Sequence, residues 1–227
     1  PTKNNFVLLW RCIESIFEKT SYNNFEILIV DNGSDEPQTL SYLDQVSRRD
    51  SVKVLRDQRP FNFSALNNSA VDQAKGEVVA LLNEDTEVIS SNWLREMLSH
   101  VLRPRIAAVG AKLLYPDKTV QHAGIVCGLG SHQVAGHAND RVDSENHGYF
   151  GRLSLVSSYS AVTGACLIVR KSIYQEVGGF DETKLGVAFN DVDFCLKLVE
   201  RGYRNVFTPF AELYHHESVS RGKDVDG

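Results

Sequence analysis

Short apolar runs that stop at clusters of polar residues, with helix-forming stretches between them, constrain this chain more than any other feature. Phe25-Glu26-Ile27-Leu28-Ile29-Val30 runs into Asp31-Asn32-Gly33-Ser34, and Glu77-Val78-Val79-Ala80-Leu81-Leu82 runs into Asn83-Glu84-Asp85. Runs of this length and apolarity suit strands buried on both faces. Between such runs the spacing is helical, as at Leu9, Cys12, Ile13 and Ile16. The alternation predicts an α/β fold with a mostly parallel central sheet flanked by helices. Ligands bind outside the strand ends of such sheets, so the polar clusters are the places to look for chemistry.

The same reasoning places helices over Phe6 to Thr20, Thr39 to about Arg49, Ser64 to Lys75, Lys171 to Val177 and Asp191 to Arg201. Another runs from a Ser90 or Ser91 cap to about Leu102. Further strands are expected at Val52 to Leu55, Ala107 to Leu114, Val120 to His122, Ser160 to Val169, Asn205 to Pro209 and Ala211 to Tyr214. From about Gly128 to Ser160 the apolar periodicity fades, which predicts a long, partly mobile loop region of the kind that often carries function. Pro1-Thr2-Lys3-Asn4-Asn5 reads as the loop after a strand. The first strand is therefore expected to be missing, and the chain to be a fragment of a longer one. One domain over residues 1–227 is expected, divided near residue 115.

A net charge of -5 argues against broad, non-specific nucleic-acid binding. Cys12, Cys127, Cys166 and Cys195 are scattered among apolar neighbours with no CxxC, which predicts buried free thiols and a reducing compartment. No run is long enough for a membrane-spanning helix, and no signal peptide is visible.

Each polar cluster has an ordinary reading beside a chemical one. Asp31-Asn32-Gly33-Ser34 is a favoured turn, or Asp31 accepts hydrogen bonds from a ligand in the crevice. Asn83-Glu84-Asp85 is an exposed acidic turn, or a carboxylate that holds a divalent cation. Asn190-Asp191-Val192-Asp193 caps a helix, or supplies a general base. His215 and His216 follow an apolar stretch and suit metal ligation, although adjacent side chains on a strand point to opposite sides. His122, His132, His137 and His147 match no zinc spacing and read as loop histidines or substrate contacts.

Taken together these segments resemble the family 2 nucleotide-sugar glycosyltransferases. The resemblance runs from Pro1 to about Gly222 and is carried by Pro1-Thr2-Lys3-Asn4, Ile27 to Ser34, Pro60-Phe61-Asn62-Phe63-Ser64, Leu82 to Val88, Thr163-Gly164-Ala165-Cys166, Gly178-Gly179-Phe180-Asp181, Asn190 to Asp193 and His215 to Ser218. The chain is especially similar to the rhamnosyltransferase-like group of bacterial surface-polysaccharide and O-antigen enzymes. The resemblance implies a GT-A fold, with a nucleotide-binding half over about 1–115 and an acceptor half over about 116–227.

It also implies inverting transfer from a nucleotide-sugar donor, a UDP- or dTDP-sugar, to a glycan or lipid-linked saccharide. A divalent cation, Mn or Mg, sits on the donor diphosphate. Thr2 and Asp31 would contact the nucleoside, and Arg221 the diphosphate. Asp85 and His215 would hold the cation, with His216 in place of His215 if the register slips by one. Asp191 would be the catalytic base, and Asp193, Thr163 and Gly164 would line the acceptor side. The implied location is cytoplasmic, at the inner face of the membrane if the rest of the chain reaches it. Asn83 and Asn190 stand where many members carry acids. Those departures keep two other readings open, a non-catalytic carbohydrate-binding module and a nucleotidyltransferase.

Overall fold

The computed structural model describes residues 1–129 and 134–216. Six helices and eleven strands lie within them. They are α1 (Phe6–Lys19), β1 (Ile27–Asp31), α2 (Pro37–Val46), β2 (Val52–Arg56), α3 (Phe63–Gln73), β3 (Val78–Leu82), β4 (Thr86–Val88), α4 (Trp93–Val101) and β5 (Ile106–Leu114). Then come β6 (Val120–His122), β7 (Ile125–Cys127), β8 (Ala135–His137), β9 (Ser157–Tyr159), β10 (Cys166–Arg170), α5 (Lys171–Glu176), α6 (Asn190–Glu200) and β11 (Arg204–His215).

The α/β class and the helix-flanked central sheet are as expected, but the sheet is mixed rather than mostly parallel. Its seven strands follow the order β3-β10-β5-β11-β4, with β6 on β5 and β9 on β11. Only β5 and β11 pair parallel in it; β10 runs antiparallel to both β3 and β5. Alternation in sequence gives the elements but not their order in space, and β10 enters from a long insert rather than from a helical crossover. β1 and β2 form a separate parallel pair.

Period-two alternation splits the core between the two faces of the sheet. Leu167 and Val169 of β10 pack with Val71, Phe180, Phe194 and Leu198, under α3 and α6. Cys166 and Ile168 pack with Cys12, Trp93, Met97 and Val101, under α1 and α4. All nine residues of β5 are buried, as expected of a mostly apolar central strand. The buried Lys112 in that run is matched by Glu212 at 3.0 Å and the Ser144 carbonyl at 2.8 Å. At Gly110 a Cβ would stand 2.6 Å from the Val162 Cβ. Only glycine lets the 161–165 segment lie this close to β5 at the open end of the sheet.

The expected loop region is more ordered than its sequence suggests. It contains the β7–β8 hairpin, a short 3-10 turn at Tyr149–Gly151, and β9 paired with β11. Cys12, Cys166 and Cys195 are buried free thiols, whereas Cys127 on the hairpin is exposed. Among the described residues no helix is long and apolar enough to cross a membrane.

Candidate active site

Asp31 closes β1 and is wholly buried. Its Oδ1 accepts the Ser34 N–H at 3.0 Å. Its Oδ2 pairs with the Arg56 guanidinium, the register partner on β2. Thr2 lies alongside: its N–H donates to the Val30 carbonyl at 2.8 Å, and its carbonyl accepts the Asn32 N–H at 2.8 Å. Thr2 and Asp31 are therefore held side by side as parallel bridge partners. The Asn32 amide fixes the next loop by donating to the Asp57 and Arg59 carbonyls at 3.0 and 2.8 Å.

The second cluster forms where β3 ends and β4 pairs with β11. Thr86 is the register partner of His215, which brings Asp85 beside the imidazole. His215 Nε2 lies 3.0 Å from Asp85 Oδ1. His216 turns to the other side, with Nε2 3.1 Å from Glu87 Oε2 and 3.5 Å from an Arg11 nitrogen. Strand alternation thus selects His215, not His216, to face Asp85. His215 Nδ1 lies 2.8 Å from Gln121 Oε1, which can only accept. A ring that donates from Nδ1 leaves Nε2 facing Asp85, where it can donate to the carboxylate when the ring is protonated or bind a cation when it is not. Asn83 Nδ2, 3.4 Å away, is the donor that points at Nε2.

The donor set fits a divalent cation. Among the described residues Asn83 Oδ1 and Glu84 Oε2 are buried acceptors with no hydrogen-bond donor, and Asp85 Oδ1 has the His215 Nε2 contact alone. Adjacent ligands of an octahedral ion with bonds of about 2.1 Å lie about 3 Å apart, and Asp85 Oδ1 and His215 Nε2 have that separation. Burial pushes the Asp85 carboxyl up, but the hydrogen bond and charge of His215, with a lesser contribution from the His216 charge, outweigh it and hold it below the usual value. It is therefore ionised near neutrality, as a cation ligand must be. Among the described residues no three His, Cys, Asp or Glu side chains converge on one point. That ligand count suits an ion shared with phosphate oxygens rather than caged by protein. Burial pushes neighbouring Glu84 up to about 7.

The third cluster surrounds Asp191. Its Oδ2 accepts the Gly164 N–H and its Oδ1 the Val192 N–H, each at 2.8 Å. A Cβ on Gly164 would meet the Asp191 Cβ at 3.5 Å and Oδ2 at 3.8 Å. Gly164 and Asp191 are thus brought together, and Thr163 precedes them with its N–H on His122 Nε2 at 3.4 Å. The Asn83 N–H donates to the Ala165 carbonyl at 3.0 Å, so this loop adjoins the acidic turn. Asp193 instead pairs with Lys197 one helical turn on, at 2.7 Å. Asn190 anchors the helix start by donating to Ser64 Oγ at 3.1 Å. Arg221 lies outside the described residues, as do His132 and Glu217.

Four residues around these clusters take partners or burial that their sequence setting does not reveal. Gln121 orients His215, Arg56 compensates Asp31, and Glu84 is buried beside the acidic turn. His122, expected in a loop or against substrate, is fully buried in β6. A strand of three residues is too short to show alternation.

Structural likeness defines the class first: the fold is GT-A. GalNAc-T7, solved with UDP, GalNAc and Mn2+, superposes with a TM-score of 0.75 at 17% identity over 92% of this chain and 41% of that one. A Pyrobaculum calidifontis mannosyltransferase, solved with GDP-Man and Mn2+, gives 0.71 at 16% identity over 98% and 56%. The sequence model of glycosyl transferase family 2 matches residues 1–178, and the chain belongs to that family. It is 53% identical to the uncharacterized protein y4gI of Sinorhizobium fredii, over 99% of this chain and 24% of that protein. It is 40% identical to the O-antigen biosynthesis protein RfbC of Myxococcus xanthus, over 99% and 17%. To the N-acetylglucosaminyl-diphospho-decaprenol L-rhamnosyltransferase of Mycobacterium tuberculosis it is 30% identical, over 87% and 68%. The chain thus spans a quarter or less of the first two relatives.

Proposed function

We propose that this domain transfers a sugar, with inversion, from a nucleoside-diphosphate donor to a hydroxyl of a glycan or lipid-linked saccharide in surface-polysaccharide synthesis. The observation that carries the reading is the buried pair Asp85 Oδ1 and His215 Nε2, 3.0 Å apart at a strand end that adjoins the Asp191 loop. Residues 1 to about 115 read the nucleotide, through Thr2 and Asp31, and the remainder receives the acceptor. Asp85 and His215 hold a Mn or Mg ion. When bound, that ion supplies Lewis-acid stabilisation of the charge that grows on the diphosphate.

Asp191 takes the proton of the acceptor hydroxyl as its oxygen bonds to the anomeric carbon. The carbon–phosphate oxygen bond breaks on the opposite face and the nucleoside diphosphate leaves. The Gly164 and Val192 N–H groups hold the Asp191 carboxylate in place, and each oxygen keeps a second lone pair for the hydroxyl. Thr163 and Gly164 line the acceptor side, Asp193 supports it from α6, and Arg221 contacts the diphosphate. The donor is a UDP- or dTDP-sugar, and the reaction is placed in the cytoplasm, where such donors are made.

Calorimetric titration with UDP, dTDP, GDP and CMP, each with and without Mn2+, tests the reading. Mn2+-dependent binding of one nucleoside diphosphate is expected. Glycan binding with no nucleotide or metal dependence would favour a carbohydrate-binding module. Release of pyrophosphate from a nucleoside triphosphate would favour a nucleotidyltransferase.

A further inference from the structure

β6 is three residues long, and all three are buried. Leu113 of β5 faces His122 and Leu114 faces Val120, so the register shifts at Gln121. Such an irregularity re-aims a side chain. Gln121 reaches His215, with Oε1 2.8 Å from Nδ1. His122 faces the other way. Its Nε2 accepts the Gly124 N–H at 3.3 Å and the Thr163 N–H at 3.4 Å.

Two backbone amides that can only donate leave His122 Nε2 without a proton. Burial, with the nearby His137 and His215 charges, pushes the ring well below the ordinary histidine value, so it stays neutral. Its one proton is then on Nδ1, 3.0 Å from His137 Nδ1. His122 thus ties the β7–β8 hairpin to the Thr163 amide, and the next amide, Gly164, holds Asp191.

We propose that Gln121 and His122 are positioning residues for two different steps, Gln121 for the cation ligand His215 and His122 for the loop that orients the base Asp191. This rests on the reading of Asp85, His215 and Asp191 given above. Its consequence is a separation between adjacent residues. Outer-shell partners of metal-ligating histidines are worth about 10- to 100-fold in metal affinity, and only Gln121 stands in that relation here.

The test is a double dissociation in the whole chain. Mn2+ affinity is read by electron paramagnetic resonance with UDP or dTDP present, and hydrogen exchange is read at the Thr163 and Gly164 amides. Gln121→Leu should weaken Mn2+ binding about 10- to 100-fold and leave exchange at the two amides unchanged. Gln121→Glu, which keeps an acceptor for Nδ1–H, should restore most of the affinity. His122→Leu should speed exchange at both amides about tenfold or more, the loss of about one hydrogen bond, with Mn2+ affinity within about twofold of wild type. His122→Gln restores an acceptor near the Nε2 position and should recover protection; it also serves if the leucine variant fails to fold. Joint loss of both readouts in either variant, or no change in either, overturns the proposal. A wild-type chain that binds no Mn2+ with any nucleoside diphosphate overturns the cation reading and the Gln121 half with it. The exchange experiment still decides the His122 half.

Discussion

Asp31 and Asp85 hold equivalent positions. Each follows or closes an apolar strand, and each is buried. Their surroundings differ. Asp31 is satisfied on both oxygens, by the Ser34 amide and by the Arg56 guanidinium. Asp85 has the His215 imidazole 3.0 Å from one oxygen and, among the described residues, no Arg or Lys paired with it. A buried charge without a partner is costly, so Asp85 depends on a histidine, whose own charge is conditional on protonation. Asp31 has its positive charge within the fold, and a ligand there competes with or adds to Arg56. Similar sequence settings therefore produce a carboxylate with a permanent cation beside it and one whose partner is a histidine.

Asp191 is the third carboxylate at the open end of the sheet, and its removal should have the largest effect. Two backbone amides orient it, and among the described residues no basic side chain pairs with it. Asp191→Asn keeps the size and one acceptor but cannot take a proton. Turnover should fall about 10²- to 10⁴-fold, the usual weight of a general base, while Mn2+-dependent nucleotide binding stays within about twofold. Steady-state transfer assays beside calorimetry check both halves. Near-normal turnover would remove the base assignment.

The contrast between Asp31 and Asp85 is sharpest in a pair of variants read by thermal unfolding with and without Mn2+ and nucleotide. Asp85→Asn should lose the ligand-induced rise in Tm, with Mn2+ affinity down about tenfold or more, and should shift the metal-free Tm little. Arg56→Met should do the reverse. It strands a buried carboxylate, which costs about 1–3 kcal/mol, and Arg56 is half-exposed, which favours the lower part of that range. The Mn2+ response should survive. If both variants behaved alike, the two carboxylates would not be doing different jobs.

The strand ends were legible because the information is local: an apolar run followed by polar residues within a few positions. Asp31 and Asp85 were singled out in that way and Asp191 by its place at a helix start, as was the bias against both histidines facing one site. What pairs with them was not legible. Arg56 lies 25 residues from Asp31 and Gln121 lies 94 from His215, so only strand register brings them together. β4, β7, β8 and β9, three residues each, are too short for a periodic signal. β11 was read as two strands because Pro209 interrupts the pattern. The chain continues as one because Pro209 falls at the register shift between Thr208 and Glu212, where a missing N–H breaks no ladder bond. The sheet's mixed direction also depends on order in space.

The smallest expected effect concerns His122, which sets the buried strand β6 apart from the exposed β7–β8 hairpin it contacts. The native ring stays neutral because burial holds it well below the ordinary value, whereas the unfolded chain protonates it below about 6.5. The unfolded state therefore binds the extra proton. Stability contributed by His122 is present above about pH 6.5 and is lost as pH falls below it, with a slope of at most about 1.4 kcal/mol per pH unit. The lowered carboxyls of Asp85 and Glu87 shift in the same sense, but their loss belongs to the carboxylate range below about pH 4.5. Glu84, pushed up to about 7, has the opposite sign over the same range, so urea unfolding from pH 7.5 to 5 is read as a difference, with wild type losing more stability than His122→Gln. A decline of equal slope in that variant would mean that His122 is protonated in the native state, and the Nδ1-protonated ring bridging His137 to the Thr163 amide would have to be abandoned.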